Sequence, residues 1–583
     1  AAPPSAAPPS AAPPSAAPPS AAPPSAAPPS AAPPSAAPLS ASRRGFLLGA
    51  GAVGAGIVAS GAAAAGAAPA SAATHRTRER RGGYVWLAGD HHLHSRYSND
   101  AMYRIDDQAT RAVAGGLDWI VITDHGNQSF AAHSIAPQRK DILAARERHG
   151  ADLLVFNGLE WNIPGAEHTT FMMAPGSREA EVLQELVNRY DALVVGARDG
   201  TPENEALAVA ALKHIAATVR SGRLADSLVL PNHPARKGID SPGELRAWQD
   251  AAPDIVIGFE GAPGHQAAGL PAPGMARGRG LYDGGPGTYS FPGYPEESYR
   301  TWGGFDWMTA TVGGVWDSLL SEGRRWWITT TSDGHQGCGD WVKNPVDPLD
   351  QTGYDTIPYN EDGDTFQTTG VYPPPVGVGR PVAEYSSFPP GAYNKTWVGA
   401  EDFSYRAVMD AMRAGRMWVS FGDLVAGLDV QLRSKAWGGH RRRATLGEEL
   451  VVAAGTEVEL IVTVDLAKSV NYAGLLPELA RVDLIRGRVT GPVADRDALY
   501  APDTRVIHSW DTAGRSGSVT LTRSFVAEHD GYVRLRGTDG KRSQPGYLGA
   551  DVDPAGPAQD VPGAVNPWED LWFYTNPIFL RVR

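Results

Sequence analysis

The sequence has a single cysteine, Cys338, among 583 residues. One thiol excludes an intramolecular disulfide framework and a thiolate metal cluster. Positive charge is also scarce, because 52 Lys and Arg face 64 Asp and Glu and leave a net charge of −12. No basic stripe is present, which argues against a grip on the phosphate backbone of long nucleic acids.

Charge is absent altogether from residues 1–40, which repeat AAPPS and have no large apolar side chain before Leu39. Such a tract cannot bury enough surface to offset its chain entropy. We therefore predict a disordered, polyproline-like extension over residues 1–40.

Residues 41–74 have the features of an export signal. The run Ser42-Arg43-Arg44-Gly45-Phe46-Leu47 matches the twin-arginine motif, and Ala70-Ser71-Ala72 supplies a small-residue cleavage site. The Gly/Ala-rich run between them is poor in Leu, Ile and Phe, which argues against a retained transmembrane anchor. We predict a secreted, periplasmic or cell-wall-associated protein with no membrane contact after cleavage of the signal.

From Gly83 onward, short apolar runs such as WIVITDH alternate with helical patterns such as RIDDQATRAVAGGLD. This alternation is typical of a buried parallel sheet covered by helices, and so many consecutive units favour an α/β barrel. We assign residues 82–424 to this barrel, with an insertion at 340–394 that is rich in Pro, Gly, Tyr and Asp. Residues 425–583 contain alternating runs such as TEVELIVTVDL, which predict a small C-terminal β-sandwich.

Potential metal ligands follow the ends of the predicted strands. His92 and His94 stand at i and i+2 and share a face, whereas His91 faces the other way. The C-terminal strand ends of a barrel converge on one mouth. The further candidates at these ends, or in the loop that follows the third strand in the case of His168, are His125, Glu160, His168, His233, Asp333 and His335.

Imidazole and carboxylate groups without sulfur suit Zn, Mn or Fe better than Cu(I) or an iron–sulfur cluster. About eight ligands are too many for one ion of ordinary coordination number, so we predict two or three divalent ions. Glu160 is the candidate bridge, because two carboxylate oxygens can reach two cations. Paired ions hold a hydroxide at neutral pH and stabilise both the attacking and the leaving oxygen of a displacement.

The ordered motifs D-x-H-x-H-S-x-x-S, T-D-H, G-x-E, a loop His, N-H-P and S-D-x-H resemble the polymerase-and-histidinol-phosphatase (PHP) domain family. The secreted, carbaryl-hydrolase-like branch is the most similar, and the closing YTNPIFLRV also resembles that branch. The resemblance covers Gly83 to Gly422 by motif and the remainder more loosely. It implies a distorted (β/α)7 barrel followed by a β-sandwich, a three-metal site and phosphoester hydrolysis.

The ligands that this resemblance implies are His92, His94, His125, Glu160, His168, His233, Asp333 and His335. One position departs from the family pattern. The family often has S-D-G where this chain reads Ser98-Asn99-Asp100. Asn99 is neutral and therefore a poorer metal ligand than aspartate. Asp100 takes the ligand position if the loop is shifted by one residue, and the sequence leaves the choice between Asn99 and Asp100 open.

The resulting hypothesis is a secreted metal-dependent phosphomonoesterase or phosphodiesterase that uses a metal-bridged hydroxide on a small phosphorylated or ester substrate. Arg236 is the candidate phosphate contact, because a guanidinium can bind two oxygens, although a surface arginine would look the same. His265 is the candidate proton donor to the leaving group. Asp124 is expected to orient His125 or a neighbouring ligand.

Three alternatives stay open. The same hydroxide attacks carbonyl carbon, so the substrate can be a carboxylic or carbamate ester. An amidohydrolase also opens with H-x-H, but it normally carries a ligand lysine and lacks partners like His335 and the T-D-H motif. A non-catalytic secreted module would use metals for structure only, with the β-sandwich and the sixteen Trp as a possible carbohydrate surface.

Overall fold

The computed structural model describes residues 78–263, 285–335, 342–343, 356–374, 376–377, 388–435, 443–561 and 565–583. The predicted extension 1–40, the predicted signal 41–74 and His265 lie outside the described residues, as does much of the insertion 340–394. Within the described ranges, no helix combines the length and apolar character needed to span a membrane.

Strands alternate with helices over the first half of the described chain. The strands are β1 (Arg80–Arg81), β2 (Tyr84–Leu93), β3 (Trp119–Ile122), β4 (Leu154–Asn162), β5 (His168–Met173), β6 (Ser227–Pro231), β7 (Gly258–Pro263) and β8 (Trp327–Thr331). The helices are α1 (Ile105–Ala114), α2 (Ile135–His149), α3 (Glu179–Tyr190), α4 (Ala192–Val195), α5 (Pro202–Arg220), α6 (Pro242–Ala251), α7 (Trp307–Ala310) and α8 (Val315–Ser321). A π-helical turn (Phe130–Ser134) precedes α2, and a 3-10 turn (Glu296–Tyr299) precedes α7.

The second half is mostly strand. It contains β9 (Val342–Lys343), α9 (Phe366–Thr369), β10 (Val376–Gly377), β11 (Asn394–Ala400), α10 (Tyr405–Arg413), β12 (Met417–Phe421), β13 (Val425–Ser434), β14 (Arg443–Ala444), β15 (Glu449–Val452), β16 (Thr456–Leu466), β17 (Arg481–Arg488), β18 (Arg505–Asp511), β19 (Ser518–Ala527), β20 (Gly531–Thr538), β21 (Trp572–Thr575) and β22 (Ile578–Val582). A 3-10 turn (Pro567–Glu569) precedes β21.

Local sequence explains where these elements begin. Helix α6 starts with proline in its first turn and with a capping box between Ser241 and Glu244, so its first backbone N–H groups are satisfied. Strands β3 and β4 are buried along their whole length, as expected for apolar runs covered on both faces.

The strand pairing of the first half returns to its starting strand. Strands β2, β3 and β4 are parallel, and β7 pairs in parallel with β8. The bridge Val229–Val256 joins β6 to the segment before β7, and the bridge Leu93–Gly334 joins the end of β8 to β2. The structure is therefore mixed α/β, with the ends of β2 and β8 side by side.

The prediction of parallel strands alone is wrong at β5. This strand runs antiparallel to both β4 and β6. Only residues 163–167 separate β4 from β5, which is too short for the helical crossover that a parallel neighbour requires. As a result His168 begins a strand, whereas the sequence placed it in a loop.

The strands beyond residue 425 fall into two groups. Strands β14, β13, β16 and β19 form a sheet of their own, while β15, β17, β18, β20, β21 and β22 belong to the sheet that contains β2. The link is the antiparallel pair β12–β21. Sheet pairing therefore crosses the predicted boundary at residue 425, and a separate β-sandwich stays a prediction.

A buried ion pair also joins the two halves. The Arg534 guanidinium on β20 donates to both carboxylate oxygens of Asp317 on α8, at 3.0 and 2.6 Å, and both side chains are fully buried. Tyr532 donates to the same carboxylate at 2.9 Å. Because buried charges must be compensated, this pair ties α8 to β20.

We expect Asp317→Ala to lower the free energy of unfolding by about 3–5 kcal/mol, since it leaves the Arg534 guanidinium buried without its counter-ion. Urea unfolding followed by tryptophan fluorescence measures the change. Asp410→Ala is the matched control: it removes the i,i+4 pair with Arg406 and the i,i+3 pair with Arg413 on the surface of α10, and it should cost less than about 1 kcal/mol. Equal losses in the two variants would contradict the structural role of the buried pair.

Candidate metal centre

The predicted ligands lie together where the strands of the first half end. Strand β2 supplies His92 and leads directly to His94, and a register irregularity between Asp90 and Leu93 accompanies this turn of the chain. The other predicted ligands come from strands β4 and β5 and from the segments after β3, β6 and β8, with Asp100 in the loop after His94. These residues, separated by up to 243 positions along the chain, meet at one edge.

Glu160 lies at the centre of this group. Its side chain is 1% exposed and contacts five imidazoles. The distances from its Oε1 are 3.2 Å to His92 Nε2, 3.0 Å to His168 Nδ1 and 3.2 Å to His233 Nε2. The distances from its Oε2 are 3.2 Å to His94 Nε2 and 3.1 Å to His125 Nδ1. One carboxylate therefore faces two separate sets of nitrogen atoms.

Two further carboxylates complete the arrangement. Asp333 Oδ1 lies 3.1 Å from His92 Nε2 and 3.2 Å from His94 Nε2. Asp100 Oδ2 lies 3.1 Å from His125 Nε2 and 3.2 Å from His335 Nε2.

The result is three overlapping groups whose ligand atoms lie within 4.8 Å of one another. The groups are His92, His94, Glu160 and Asp333; His94, Asp100, His125 and His335; and His125, Glu160 and His168.

The contacts fit divalent cations better than they fit protein hydrogen bonds. Two imidazole nitrogens, His92 Nε2 and His94 Nε2, approach to 3.1 Å. Glu160 Oε2 is buried and receives no hydrogen bond. A cation shared by these atoms would satisfy the carboxylate oxygen and both nitrogens, and the nitrogen and oxygen donors suit Zn, Mn or Fe.

The pKa directions follow from this crowding of charge. Burial raises the pKa of the Glu160 carboxyl, but the imidazoles of His92, His125 and His168 outweigh it and hold that pKa well below its usual range. Burial lowers the pKa of His94, but Asp333 and Glu160 raise it to about 10. Glu160 is therefore an anion. Without a metal ion, His94 carries a proton that a bound cation would displace.

Glu260, in the middle of β7, supports the centre and was missed by sequence reasoning. Its buried carboxylate contacts His92 Nδ1 at 3.1 Å and accepts from the backbone N–H of His233 at 2.7 Å. Burial raises its pKa, but His92 outweighs burial and lowers it to about 2. An anion at this position fixes which nitrogen of His92 faces Glu160. The signal was a carboxylate within IVIGFEGA, an apolar run that the sequence predicts as a strand.

Asn232 and Asp90 also hold the ligands in place. Asn232 Nδ2 donates to Glu160 Oε1 at 3.1 Å. The Asp90 carboxylate accepts from the backbone N–H groups of His92 at 3.0 Å and Ser332 at 2.9 Å, so it joins the ends of β2 and β8. Burial raises the pKa of Asp90 to about 7.

The backbone is strained at two of the ligand positions. His233 has φ 31° and Asp333 has φ 45°, in the left-handed region that non-glycine residues rarely adopt. Such conformations persist only where the surrounding contacts hold them, and they cluster at functional sites.

His91 and Asp124 lie next to the ligands in the sequence, and their contacts differ from each other. His91 faces away from the centre and contacts Thr170 and Thr329 at 3.0 and 2.7 Å, as its position in the strand predicted. Asp124 accepts from the backbone N–H of Ser95 at 2.5 Å, so it anchors the residue after His94 rather than His125.

Arg236 is not among the clustered residues. Its Nη2 lies 3.2 Å from Glu167 Oε1, and Lys237 Nζ lies 2.9 Å from the same oxygen. Glu167 precedes His168 in the chain, and its other oxygen lies 3.7 Å from His168 Nε2. Two cationic side chains therefore stand next to one wall of the centre. His265 lies outside the described residues.

Comparison with known proteins identifies a family similarity for part of the chain. Residues 90–201 match the model of the PHP domain. No curated protein matches the chain.

Solved structures give distant likenesses. A two-domain protein from Bacteroides vulgatus ATCC 8482 containing a predicted PHP-like metal-dependent phosphoesterase has 14% identity and a TM-score of 0.31, over 84% of this chain and 100% of that one. The lesion-specific endonuclease PfuEndoQ from Pyrococcus furiosus has 12% identity and a TM-score of 0.25, over 56% of each chain. Likenesses this distant carry no information on the chemistry of the centre.

The geometry distinguishes Asp100 from Asn99 as a candidate ligand. We expect Asp100→Ala to bind fewer divalent ions per chain than the wild type, because it removes the only carboxylate of one group. Asn99 contacts Tyr372 through its backbone carbonyl, so Asn99→Ala keeps that contact and is the matched control. Elemental analysis of the purified variants measures the ratio. Loss of metal in Asn99→Ala but not in Asp100→Ala would assign the ligand to Asn99.

Proposed function

We propose that this chain is a metal-dependent phosphoesterase. The observation that carries the proposal is a set of three overlapping ligand groups, two of which share one buried carboxylate, Glu160. The match of residues 90–201 to the PHP domain supports it. The order of the motifs along the chain favours the secreted, carbaryl-hydrolase-like branch of that family.

The proposed ligands are His92, His94, Asp100, His125, Glu160, His168, His233, Asp333 and His335. When bound there, two or three divalent ions would polarise a phosphoryl oxygen. They would also lower the pKa of a water molecule that they bind, so that it supplies hydroxide near neutral pH. Glu160 would hold the bridging position, since it belongs to two of the three ligand groups.

Recognition of the substrate falls to the residues beside His168. Arg236 and Lys237 both contact the buried Glu167 carboxylate, which holds their long side chains next to the centre. Two cationic groups at this wall favour an anionic substrate, and the Arg236 guanidinium can bind two phosphate oxygens. This arrangement favours a phosphoester over a neutral carboxylic ester.

Further parts of the proposal rest on strand pairing and on sequence motifs. The strand pairing that returns to β2 supports a distorted (β/α)7 barrel over residues 82–424. The twin-arginine motif at residues 42–47 supports export, and His265 stays the candidate proton donor. A β-sandwich at 425–583 is a further part of the proposal, and its strand β21 pairs with β12 of the preceding region.

We expect Glu160→Gln to lower the turnover of p-nitrophenyl phosphate or of bis-p-nitrophenyl phosphate by more than about a hundredfold, because losing a residue that only orients a ligand already costs ~10–100-fold. Glu147→Gln on the exposed face of α2 is the matched control and should keep full turnover. Retained activity in Glu160→Gln would rule out the bridging role. Turnover of p-nitrophenyl acetate without phosphate release would instead assign a carboxylic esterase.

A further inference from the structure

Tyr372 connects a segment outside the metal centre to the loop that carries Asp100. It lies in residues 356–374, a described stretch of the insertion predicted at 340–394, which we call the inserted segment. The Tyr372 side chain is fully buried, and its hydroxyl donates to the backbone carbonyl of Asn99 at 3.1 Å. Its backbone N–H donates to the carbonyl of Arg96 at 2.9 Å. Tyr372 therefore contacts the loop at two points.

The contact with Asn99 acts directly on the next residue, Asp100. The Asn99 carbonyl belongs to the peptide group that joins these two residues, and a peptide group is planar. A hydrogen bond to the carbonyl oxygen therefore also fixes the backbone nitrogen of Asp100, and it restricts the direction in which the Asp100 side chain leaves the chain. Residues 95–100, which we call the ligand loop, contain no helix or strand that would do this instead.

Ser98 holds the ligand loop from the side of the metal ligands. Its buried hydroxyl donates to Asp100 Oδ1 at 2.8 Å and accepts from the backbone N–H of His125 at 3.3 Å. The same oxygen lies 3.2 Å from His94 Nδ1. The other carboxylate oxygen of Asp100 then faces His125 Nε2 at 3.1 Å and His335 Nε2 at 3.2 Å. The position of this loop therefore determines whether the ligand group is complete.

Two of the ligand groups differ in how much support they have. In the Asp100 group (His94, Asp100, His125 and His335), three side chains are 14%, 20% and 31% exposed. In the Asp333 group (His92, His94, Glu160 and Asp333), no side chain is more than 4% exposed. Two members of the Asp333 group lie within strands β2 and β4, whereas Asp100 lies on an irregular loop. Since loops are more mobile than the elements they connect, the Asp100 group depends on contacts from outside the ligand set.

The inserted segment is itself fastened to the stretch of chain that follows β3. Ser129 Oγ donates to the carbonyl of Phe366 at 2.7 Å, and Ser134 Oγ donates to the carbonyl of Gly370 at 2.5 Å. Gly370 has φ 66°, and a Cβ there would collide with Ser134 Oγ, so this close approach requires glycine. The Phe366 ring packs against the ring of Tyr372, with centroids 4.8 Å apart. These contacts hold Tyr372 in place against the ligand loop.

We propose that Tyr372 is a positioning residue of the metal centre, through which the inserted segment sets the affinity of the Asp100 group for its ion. The Asp333 group has its own support and is independent of this contact. The proposal rests on the proposed function in one respect, because it requires that the ligand groups bind metal ions. It does not depend on which ester is the substrate.

Removal of one hydroxyl group tests the proposal. The full chain carrying Tyr372→Phe is stripped of metal with a chelator and titrated with Mn²⁺, while the EPR signal of free Mn²⁺ reports binding. One class of bound ions should be weakened by roughly tenfold, since losing a group that orients a ligand costs ~10–100-fold in metal affinity. The affinity of the remaining ions should not change.

Tyr359→Phe is the matched control for this titration. Tyr359 belongs to the same inserted segment, and its hydroxyl contacts Thr369 Oγ1 of that segment at 2.6 Å. The control loses a tyrosine hydroxyl of the segment but keeps the two contacts with the ligand loop. It should therefore bind Mn²⁺ as the wild type does.

A double variant shows whether the effect passes through Asp100. In an Asp100→Ala background, Tyr372→Phe should not change the Mn²⁺ titration any further, because the side chain that Tyr372 positions is already absent. A purely structural role predicts a different result. It would lower the melting temperature of the metal-free Tyr372→Phe variant and leave its Mn²⁺ affinity unchanged.

Three results would overturn the positioning role. They are an unchanged Mn²⁺ affinity in Tyr372→Phe, an equal loss for every class of bound ions, and a further loss when Tyr372→Phe is added to Asp100→Ala.

Failure of the proposed function gives a different pattern. Weaker Mn²⁺ binding in Tyr372→Phe, together with no turnover of any phosphoester by the wild type, would support the positioning role and overturn the phosphoesterase. Turnover of p-nitrophenyl phosphate by a wild type whose Mn²⁺ affinity is unchanged by Tyr372→Phe would overturn the positioning role alone. A wild-type chain that binds no Mn²⁺ would overturn both.

Discussion

A single buried carboxylate surrounded by five imidazoles is the constraint on which the rest of this structure depends. A charge such as Glu160 is costly to remove from water unless it is compensated at short range. Its neighbours are His92, His94, His125, His168 and His233, all within 3.2 Å. Imidazole nitrogen atoms that face a carboxylate at this spacing can form ion pairs with it or share a cation with it. The contacts that stabilise the buried charge are therefore the same contacts that would bind metal ions.

The fold supplies this arrangement from segments far apart in sequence. Parallel pairing brings β2, β3 and β4 to one edge, and Asp90 joins β2 to the segment after β8. The strained backbone at His233 and Asp333 places their side chains where regular strands would not. The C-terminal strands join the same sheet through the antiparallel pair β12–β21.

Much of this centre could be predicted from local sequence, and the rest depends on tertiary contacts. The period of two put His92 and His94 on one face, and the position of Glu160 at a strand end placed it at the same edge. The choice between Asn99 and Asp100 depends on the path of an irregular loop, which has no period. Glu260 is an acid within a predicted strand, and only its contacts with His92 and His233 identify it. The pairing of β12 with β21 could not be predicted from the alternation of apolar and polar residues, because that pattern identifies a strand but not the strand it pairs with.

The central claim is that one edge of the sheet holds a cluster of cations around Glu160. Anomalous X-ray diffraction from crystals of the purified protein, recorded at the absorption edges of Mn, Fe and Zn, tests it directly. The account predicts two or three anomalous peaks about 2.0–2.2 Å from the ligand atoms, two of them sharing the Glu160 carboxylate. Metal-loaded crystals with no peak among His94, Glu160 and His335, or with peaks only elsewhere, would contradict it.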